Sequence, residues 1–384
     1  MPNFPKKLRH RLEKRKNENA LRKLSNYKDL VDFSSNDYLG LAREAKIRQQ
    51  ADRLLVETDG LNGATGSRLL TGHYPLLAEL EAVMANFHNA EAALVFNSGY
   101  DANLGLFSSV PQRNDNVFYD ELVHASIRDG IALGNAKSYK FKHNDLEDLH
   151  RHIERSRNID NGSETYIVTE SVFSMDGDSP DLRALADYCA KNKFHLIVDE
   201  AHAVGVLGNG KGLVSELGIE DRVFARLVTF GKALGCHGAA ILGTSHLKTY
   251  LTNFARSLIY TTALPPHTVA TVFSSYTHLA SEQGKRAVKS LQDRIHFFVQ
   301  KKRDYNLQDV FLPSESAIHV AVLKGNERVK RCAEQIQKNG FDVRPILAPT
   351  VPKGHERLRI CLHSYNTEEE VKTVLELISK DNNG

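Results

Sequence analysis

His195-Leu196-Ile197-Val198-Asp199-Glu200-Ala201-His202 is an apolar run that ends in two carboxylates and an imidazole. A run this uniformly hydrophobic reads as a strand buried within a parallel sheet. Further along, Leu227-Val228-Thr229-Phe230-Gly231-Lys232-Ala233-Leu234-Gly235 repeats the design: an apolar strand, a hydroxyl, then a lysine among glycines and small residues. In open α/β sheets, ligands sit beyond the carboxyl ends of the strands, so Asp199, His202 and Lys232 can meet at one edge. A lysine buried there is costly unless it is paired or neutral. Desolvation favours the neutral amine, the form that adds to carbonyls. Taken alone, a loop lysine points at water; the acid and imidazole upstream change that reading.

An acid, an imidazole and a lysine are what pyridoxal 5′-phosphate (PLP) needs. The acid keeps the pyridine nitrogen protonated, the imidazole hydrogen-bonds the ring oxygen and the lysine forms the Schiff base. Thr229-Phe230-Gly231-Lys232, preceded by Val198-Asp199-Glu200-Ala201-His202, resembles the α-oxoamine synthases. These fold-type I PLP enzymes join an amino acid to an acyl thioester and release carbon dioxide. The resemblance runs from about Arg22 to the last helix, with several motifs in the family's order. It implies an α/β fold of the aspartate-aminotransferase type: a large, mainly parallel, seven-stranded domain and a smaller C-terminal α+β domain. The expected division is a helical arm over 1–35, a PLP-binding domain over 36–270 and a small domain over 271–384. It also implies a homodimer with shared active sites. The alternation of strands and helices along the chain agrees with that class.

Composition narrows the alternatives. The chain has 384 residues, 41% hydrophobic and 25% charged, which suits a globular protein with one large and one smaller domain. A net charge of +3 is too balanced for a dedicated nucleic-acid binder. Cys189, Cys236, Cys332 and Cys361 are scattered, with neither metal spacing nor a disulfide framework. The basic N-terminus (Lys6, Lys7, Arg9, Arg11, Lys14) has no apolar core after it, so it is not a secretory signal, and no stretch is long enough to span a membrane. A cytoplasmic enzyme is the expectation.

The remaining motifs follow in chain order. Residues from about 6 to 24 read as a charged helix with Leu8, Leu12, Leu21 and Leu24 as its apolar positions. The resemblance makes this an arm on the partner subunit and matches Arg22 to a substrate-contacting arginine. In Val31-Asp32-Phe33-Ser34-Ser35-Asn36-Asp37-Tyr38-Leu39-Gly40-Leu41 a short strand turns, and Asn-Asp is good turn chemistry by itself. The residue matching Asn36 lies near the family's substrate cleft. The glycine- and hydroxyl-rich Gly60–Gly72 lacks the Gly-Lys-Ser/Thr ending of a phosphate-binding P-loop and has no strand leading into it. Pro75–Asn89 carries apolar residues at helical spacing, with proline suited to its first turn.

Ala92–Phe96 is then a buried strand that runs into Asn97-Ser98-Gly99-Tyr100 and a helix. A strand–glycine–helix turn aims backbone N–H groups and the positive helix end at an anion; in the family, residues matching Gly99 and Tyr100 bind the cofactor phosphate. Asn116–Asp120 reads as a strand before His124, which matches the histidine that stacks on the ring and contacts substrate. Thr165–Glu170 is another strand, and Ser174 beyond it matches a cofactor-contacting serine. The glycines from Gly205 to Gly212 leave a dinucleotide site open as an alternative, although such a turn should open a helix directly after the first strand. Thr262 matches the hydroxyl that reaches the neighbouring subunit's phosphate. One long helix is expected from about His267 to Asp309, leading into the small domain. There, Thr350 matches a substrate-contacting threonine. Arg359 matches the clamp on the amino-acid carboxylate, a bidentate task suited to a guanidinium.

The resemblance is nearest to the biotin-pathway branch. This implies a C-acyltransferase that takes L-alanine and pimeloyl-CoA or pimeloyl-ACP (the acyl-carrier-protein thioester), with glycine and acetyl-coenzyme A as the alternative pairing. Members of that branch often carry an arginine where this chain has Leu347; the nearest basic residue is Arg344. Outside this class stand a nucleotide-binding protein and a catalytically silent partner subunit, and the presence of Lys232 argues against the latter.

Overall fold

The computed structural model describes residues 4–19, 21, 24, 29–57, 60–156, 162–348 and 350–383. After the short strand β1 (Val31–Asp32), seven strands build one sheet: β2 (Ala92–Phe96), β3 (Asn116–Asp120), β4 (Lys137–Phe141), β5 (Thr165–Glu170), β6 (His195–Asp199), β7 (Ala225–Thr229) and β8 (Ala239–Gly243). Their order is β2-β8-β7-β6-β5-β3-β4. Strands β3 to β7 pair in parallel, and β8 lies antiparallel between β7 and β2. Every residue of β2 and β5 is buried. Strand β4 is the exception: it is an exposed edge with lysines at 137 and 140, too polar to stand out as a strand in the sequence. Charged edge residues discourage pairing with other chains.

Period-two geometry divides each strand between two cores. Val95, Phe118, Ile167, Leu196, Val198 and Val228 point into one apolar layer. Leu94, Val117, Tyr166, Val168, Ile197 and Leu227 point into the other. Helices cover both faces, which is why these strands read as continuous hydrophobic runs.

The C-terminal part adds β9 (Ile318–Val322), β10 (Phe341–Asp342), β11 (Arg344–Ile346) and β12 (Arg357–Cys361). Strand β12 is central, antiparallel to both β9 and β11. Strand β1 pairs with β10, so the opening motif joins this smaller unit rather than the large sheet. The expected single helix over 267–309 is two, Pro266–Ala280 and Glu282–Asp304. Ser281 divides them: its hydroxyl accepts from the amides of Gln283 and Gly284, satisfying donors that a helix start leaves open. The N-terminal helix spans Lys6–Asn17, shorter than expected, and buries none of its residues. Leu8, Leu12, Leu21 and Leu24 are all exposed.

One half-buried charge cluster braces the ends of β3 and β4. His143 Nδ1 lies 3.0 Å from Asp120 and its Nε2 lies 2.8 Å from Asp178. Burial opposes protonation, but hydrogen bonds to the two carboxylates raise the imidazole to about 10. A raised basic group adds stability that is complete below its unfolded value of ~6.5 and disappears as pH rises through the folded value. We therefore predict that His143→Gln flattens the decline in melting temperature between pH ~6.5 and ~10. Wild type and variant losing stability in parallel over that window would contradict the assignment.

Candidate active site

The carboxyl ends of β5, β6 and β7 open into a cavity of about 180 Å³ lined by Glu170, Asp199, His202, Thr229 and Lys232. Parallel register sets Glu170 directly beside Asp199. Asp199 is held at both oxygens: Oδ1 accepts from the Ala201 amide at 2.9 Å and Oδ2 from Asn103 Nδ2 at 3.1 Å. His202, buried beyond it, has Nδ1 2.7 Å from the Tyr38 hydroxyl. Burial drives this imidazole well below its usual value, and the cations of Lys232 and Arg359 push the same way, so it is neutral.

Lys232 sits in a tight loop after β7, closed by Gly235 N to Lys232 O at 2.8 Å. Gly235 has φ +63°, and a Cβ there would fall 2.1 Å from the Ala42 amide nitrogen. Only glycine permits this approach, which presses the lysine loop against the opening motif. Gly205 acts similarly from the other side, where a Cβ would overlap the Ala233 methyl at 2.3 Å. That loop therefore packs beneath Lys232, and the helix after it, Leu213–Leu217, has only five residues, giving the dinucleotide reading no support. Burial lowers the Lys232 amine to about 8, against the opposing pull of Asp199 and Glu170.

The cavity continues to the N-terminus of helix Gly99–Ser109, capped by Ser98, whose Oγ accepts from the Asp101 amide. The amides of Gly99 and Tyr100 fall in the first turn, where no intrahelical acceptor exists. Thr229 lines the same region, and Tyr100 bonds Asp129 through its hydroxyl. His124 caps helix Ala125–Leu133 at the cavity rim, its ring bonded to Ser126 and its amide to Glu170.

Ser174 reaches the cavity from the loop after β5, and its carbonyl accepts from Arg359 Nε at 2.7 Å. Arg359 also donates from NH2 to Asn36 Oδ1 at 3.0 Å and lies 9% exposed at the junction of the two units. Asn36 and Arg359 thus reach the cavity edge without lining it. Thr262 is exposed and away from the cavity, its carbonyl accepting from Asn97. Thr350 is also exposed, and Arg22 falls outside the described residues. Arg344 is paired with Asp342 through Nε at 2.6 Å, and Leu347 packs partly buried against the core.

Three residues went unrecognised in the sequence as parts of this site. Glu170 ends a buried strand just as Asp199 does, a signal that was available. Asn103 and Ser126 lie within helices and carry no such mark.

The donor set suits PLP: a lysine of lowered basicity for its carbonyl, a fixed carboxylate for its ring nitrogen, a neutral imidazole for its ring oxygen and a helix N-terminus for its phosphate. Residues 28–378 match the family described as aminotransferase class I and II, so the class is a fold-type I PLP-dependent transferase. The chain is 39% identical over 388 residues to the 8-amino-7-oxononanoate synthase of Emericella nidulans, covering 97% of this chain and 94% of that one. It superposes on the 8-amino-7-oxononanoate synthase structure from Francisella tularensis at a TM-score of 0.77 and 31% identity, covering 92% and 98% of the two chains. An SPT structure holding PLP as its internal aldimine aligns at a TM-score of 0.85 and 27% identity, covering 93% and 88%. The chain belongs to the α-oxoamine synthase family of PLP-dependent acyltransferases.

Glu170 provides a test without added cofactor. Burial raises its carboxyl to about 8, and the Asp199 charge adds to the effect. Stability from a raised acid is complete below its unfolded value of ~4.3 and is lost as pH rises to the folded one. For Glu170→Gln apoprotein, the melting-temperature advantage over wild type is expected to widen from pH ~4.3 to ~8 and then level off. A gap independent of pH would show that Glu170 is ionised throughout.

Proposed function

We propose that this chain condenses an α-amino acid with an acyl thioester, releasing carbon dioxide and free thiol, at the cavity around Lys232. The observation that carries the proposal is the convergence of Lys232, Asp199 and neutral His202 in one cavity, with Arg359 tied to its edge through Ser174. PLP supplies, when bound, an electron sink for charge developing at the amino-acid Cα. Lys232 would hold its carbonyl, Asp199 its ring N–H and His202 its ring oxygen. Gly99, Tyr100, Thr229 and Ser174 would anchor it, with Thr262 completing the phosphate contacts of a partner subunit in a homodimer. His124 would cover the ring face and exclude water. Arg359 would hold the substrate carboxylate, with Asn36 orienting its guanidinium. Once substrate takes its place, the Lys232 amine is free to remove the Cα proton and later return one to the product; a basicity near neutrality suits both transfers. Thr350 and Arg22 are the proposed further substrate contacts.

Two pairings fit this chemistry. L-Alanine with a pimeloyl thioester, on coenzyme A or acyl-carrier protein, is the 8-amino-7-oxononanoate synthase reaction and is supported by the relatives' names. A second α-oxoamine synthase reaction, such as glycine with acetyl-coenzyme A, is favoured by the acyl side. Leu347 is apolar, and Arg344 is engaged by Asp342 rather than free for a distal carboxylate. Alanine's methyl alone is worth roughly 10–200-fold in selectivity, whereas a site built to bind a polar group rejects an analogue lacking it by about 10⁴-fold or more. The acyl group is therefore the sharper discriminator.

Thiol release with alanine or glycine against acetyl-, heptanoyl- and pimeloyl-coenzyme A separates the readings. On the acyl-side observations we expect pimeloyl and heptanoyl thioesters to differ by less than about tenfold in kcat/KM. A preference for pimeloyl of several hundredfold would establish a distal cation, Arg22 being the candidate, and with it the 8-amino-7-oxononanoate synthase pairing. No thiol release with any pairing would remove the functional proposal.

A further inference from the structure

Tyr38 touches the site through His202 yet has no place in the chemistry above. It is fully buried, its ring lies near those of His202 and His363, and its hydroxyl has two polar neighbours. The oxygen is 2.7 Å from His202 Nδ1 and 3.2 Å from Asn36 Oδ1, and Asn36 in turn accepts from Arg359. A phenol has one proton to donate and lone pairs to accept with. The question is which neighbour receives that proton, because the answer fixes where His202 keeps its own.

Two distances and one chemical difference give the same answer. The His202 contact is short, at the mode for an O–H donor, whereas the Asn36 contact is half an ångström longer. Asn36 Oδ1 is already the acceptor of a charge-assisted bond from Arg359 NH2 at 3.0 Å. The imidazole nitrogen is also a stronger base than an amide oxygen, so the O–H goes to His202. His202 is neutral, as its burial beside two cations requires. With Nδ1 accepting from Tyr38, its single ring proton must be on Nε2.

We propose that Tyr38 is a positioning residue that locks His202 as the Nε2–H tautomer, so that His202 can only donate a hydrogen bond into the cofactor cavity, and that the Arg359–Asn36 pair keeps Tyr38 in that role. This deepens the functional proposal and rests on PLP occupying the cavity. Its consequence is a division of labour. A histidine fixed as a donor stabilises negative charge on the ring oxygen but has no lone pair facing the cavity with which to take a proton. Proton movement at Cα is left to Lys232. The arrangement also sets two bonded pairs side by side, Arg359–Asn36 and Tyr38–His202, drawn from both units of the fold.

The test uses holoenzyme carrying ¹⁵N-labelled histidine, with His202 assigned by the signals missing from His202→Asn. In wild type, His202 Nδ1 should resonate as an unprotonated, hydrogen-bonded nitrogen and Nε2 as a protonated one. Tyr38→Phe should average or reverse the two, shift the visible absorption maximum of bound PLP, and raise the PLP dissociation constant by about five- to tenfold, the effect of one hydrogen bond. In a His202→Asn background, the same Tyr38→Phe change should alter neither the spectrum nor the affinity. A protonated Nδ1 in wild type overturns the proposal, and this measurement needs no variant at Tyr38 to fold. So does a Tyr38→Phe protein whose His202 shifts and PLP spectrum match wild type, or one whose effect persists without His202. If the protein takes up no PLP, the functional proposal fails by itself, and the apoprotein's His202 nitrogen shifts still decide the tautomer.

Discussion

Two carboxyl groups end neighbouring parallel strands in the same register, Glu170 on β5 and Asp199 on β6. Main-chain hydrogen bonding fixes their proximity, so neither can withdraw without breaking the sheet. Such pairs avoid double ionisation by separating their environments. Asp199 receives an amide and an amide side chain, bonds that suit a carboxylate. Glu170 is buried and pushed upward, which leaves it the proton. Burial lowers the Lys232 amine to about 8 although both acids pull the other way, and a carboxyl that keeps its proton pulls less than a carboxylate. A lysine held well above that value would be a poorer nucleophile or base.

The large sheet was legible because its strands are buried on both faces. Their apolar runs stand out against polar loops, and the chemistry sits where those runs stop. Lys232, Asp199 and His202 were found by that rule, Gly99 and Thr229 by the resemblance of the motifs around them, and the structure brings all five together. Strand β4 escaped because an edge strand needs no apolar run, and Ser281 escaped because a serine breaks a helix only when its side chain turns back to cap the next one. Glu170 was missed although its strand end marked it, but Asn103, Ser126 and Tyr38 were missed for another reason: they matter through bonds to residues distant in sequence, and a bond of that kind leaves no local pattern.

The small unit is where pattern reading is weakest and geometry contributes most. Arg359 alternates with apolar residues on β12, and from sequence that alternation fits a solvated edge equally well. What decides the matter is the loop after β5. Arg359 donates to the carbonyl of Ser174, and Arg357 pairs with Asp176 in the same loop. Both arginines are buried by that contact. The opening motif closes the arrangement from the third side, through β1 on β10 and the Cys361 amide on the Phe33 carbonyl.

These contacts explain why the chain must fold as a whole before the site exists. The lysine and the acids come from the large sheet, the guanidinium from the small one, and Asn36 and Tyr38 from a segment that precedes both. Each contributes a rigid element rather than a free loop: strand ends, a glycine-clamped turn and a buried tyrosine. In the proposed reaction a substrate carboxylate would meet a guanidinium whose position is already set by main-chain and side-chain acceptors, leaving little ordering to be done on binding. Preorganisation of this kind raises the share of binding energy available at the reacting carbon. It also makes the site sensitive to residues that never touch a ligand, since displacing Gly235 or Tyr38 moves the groups that do.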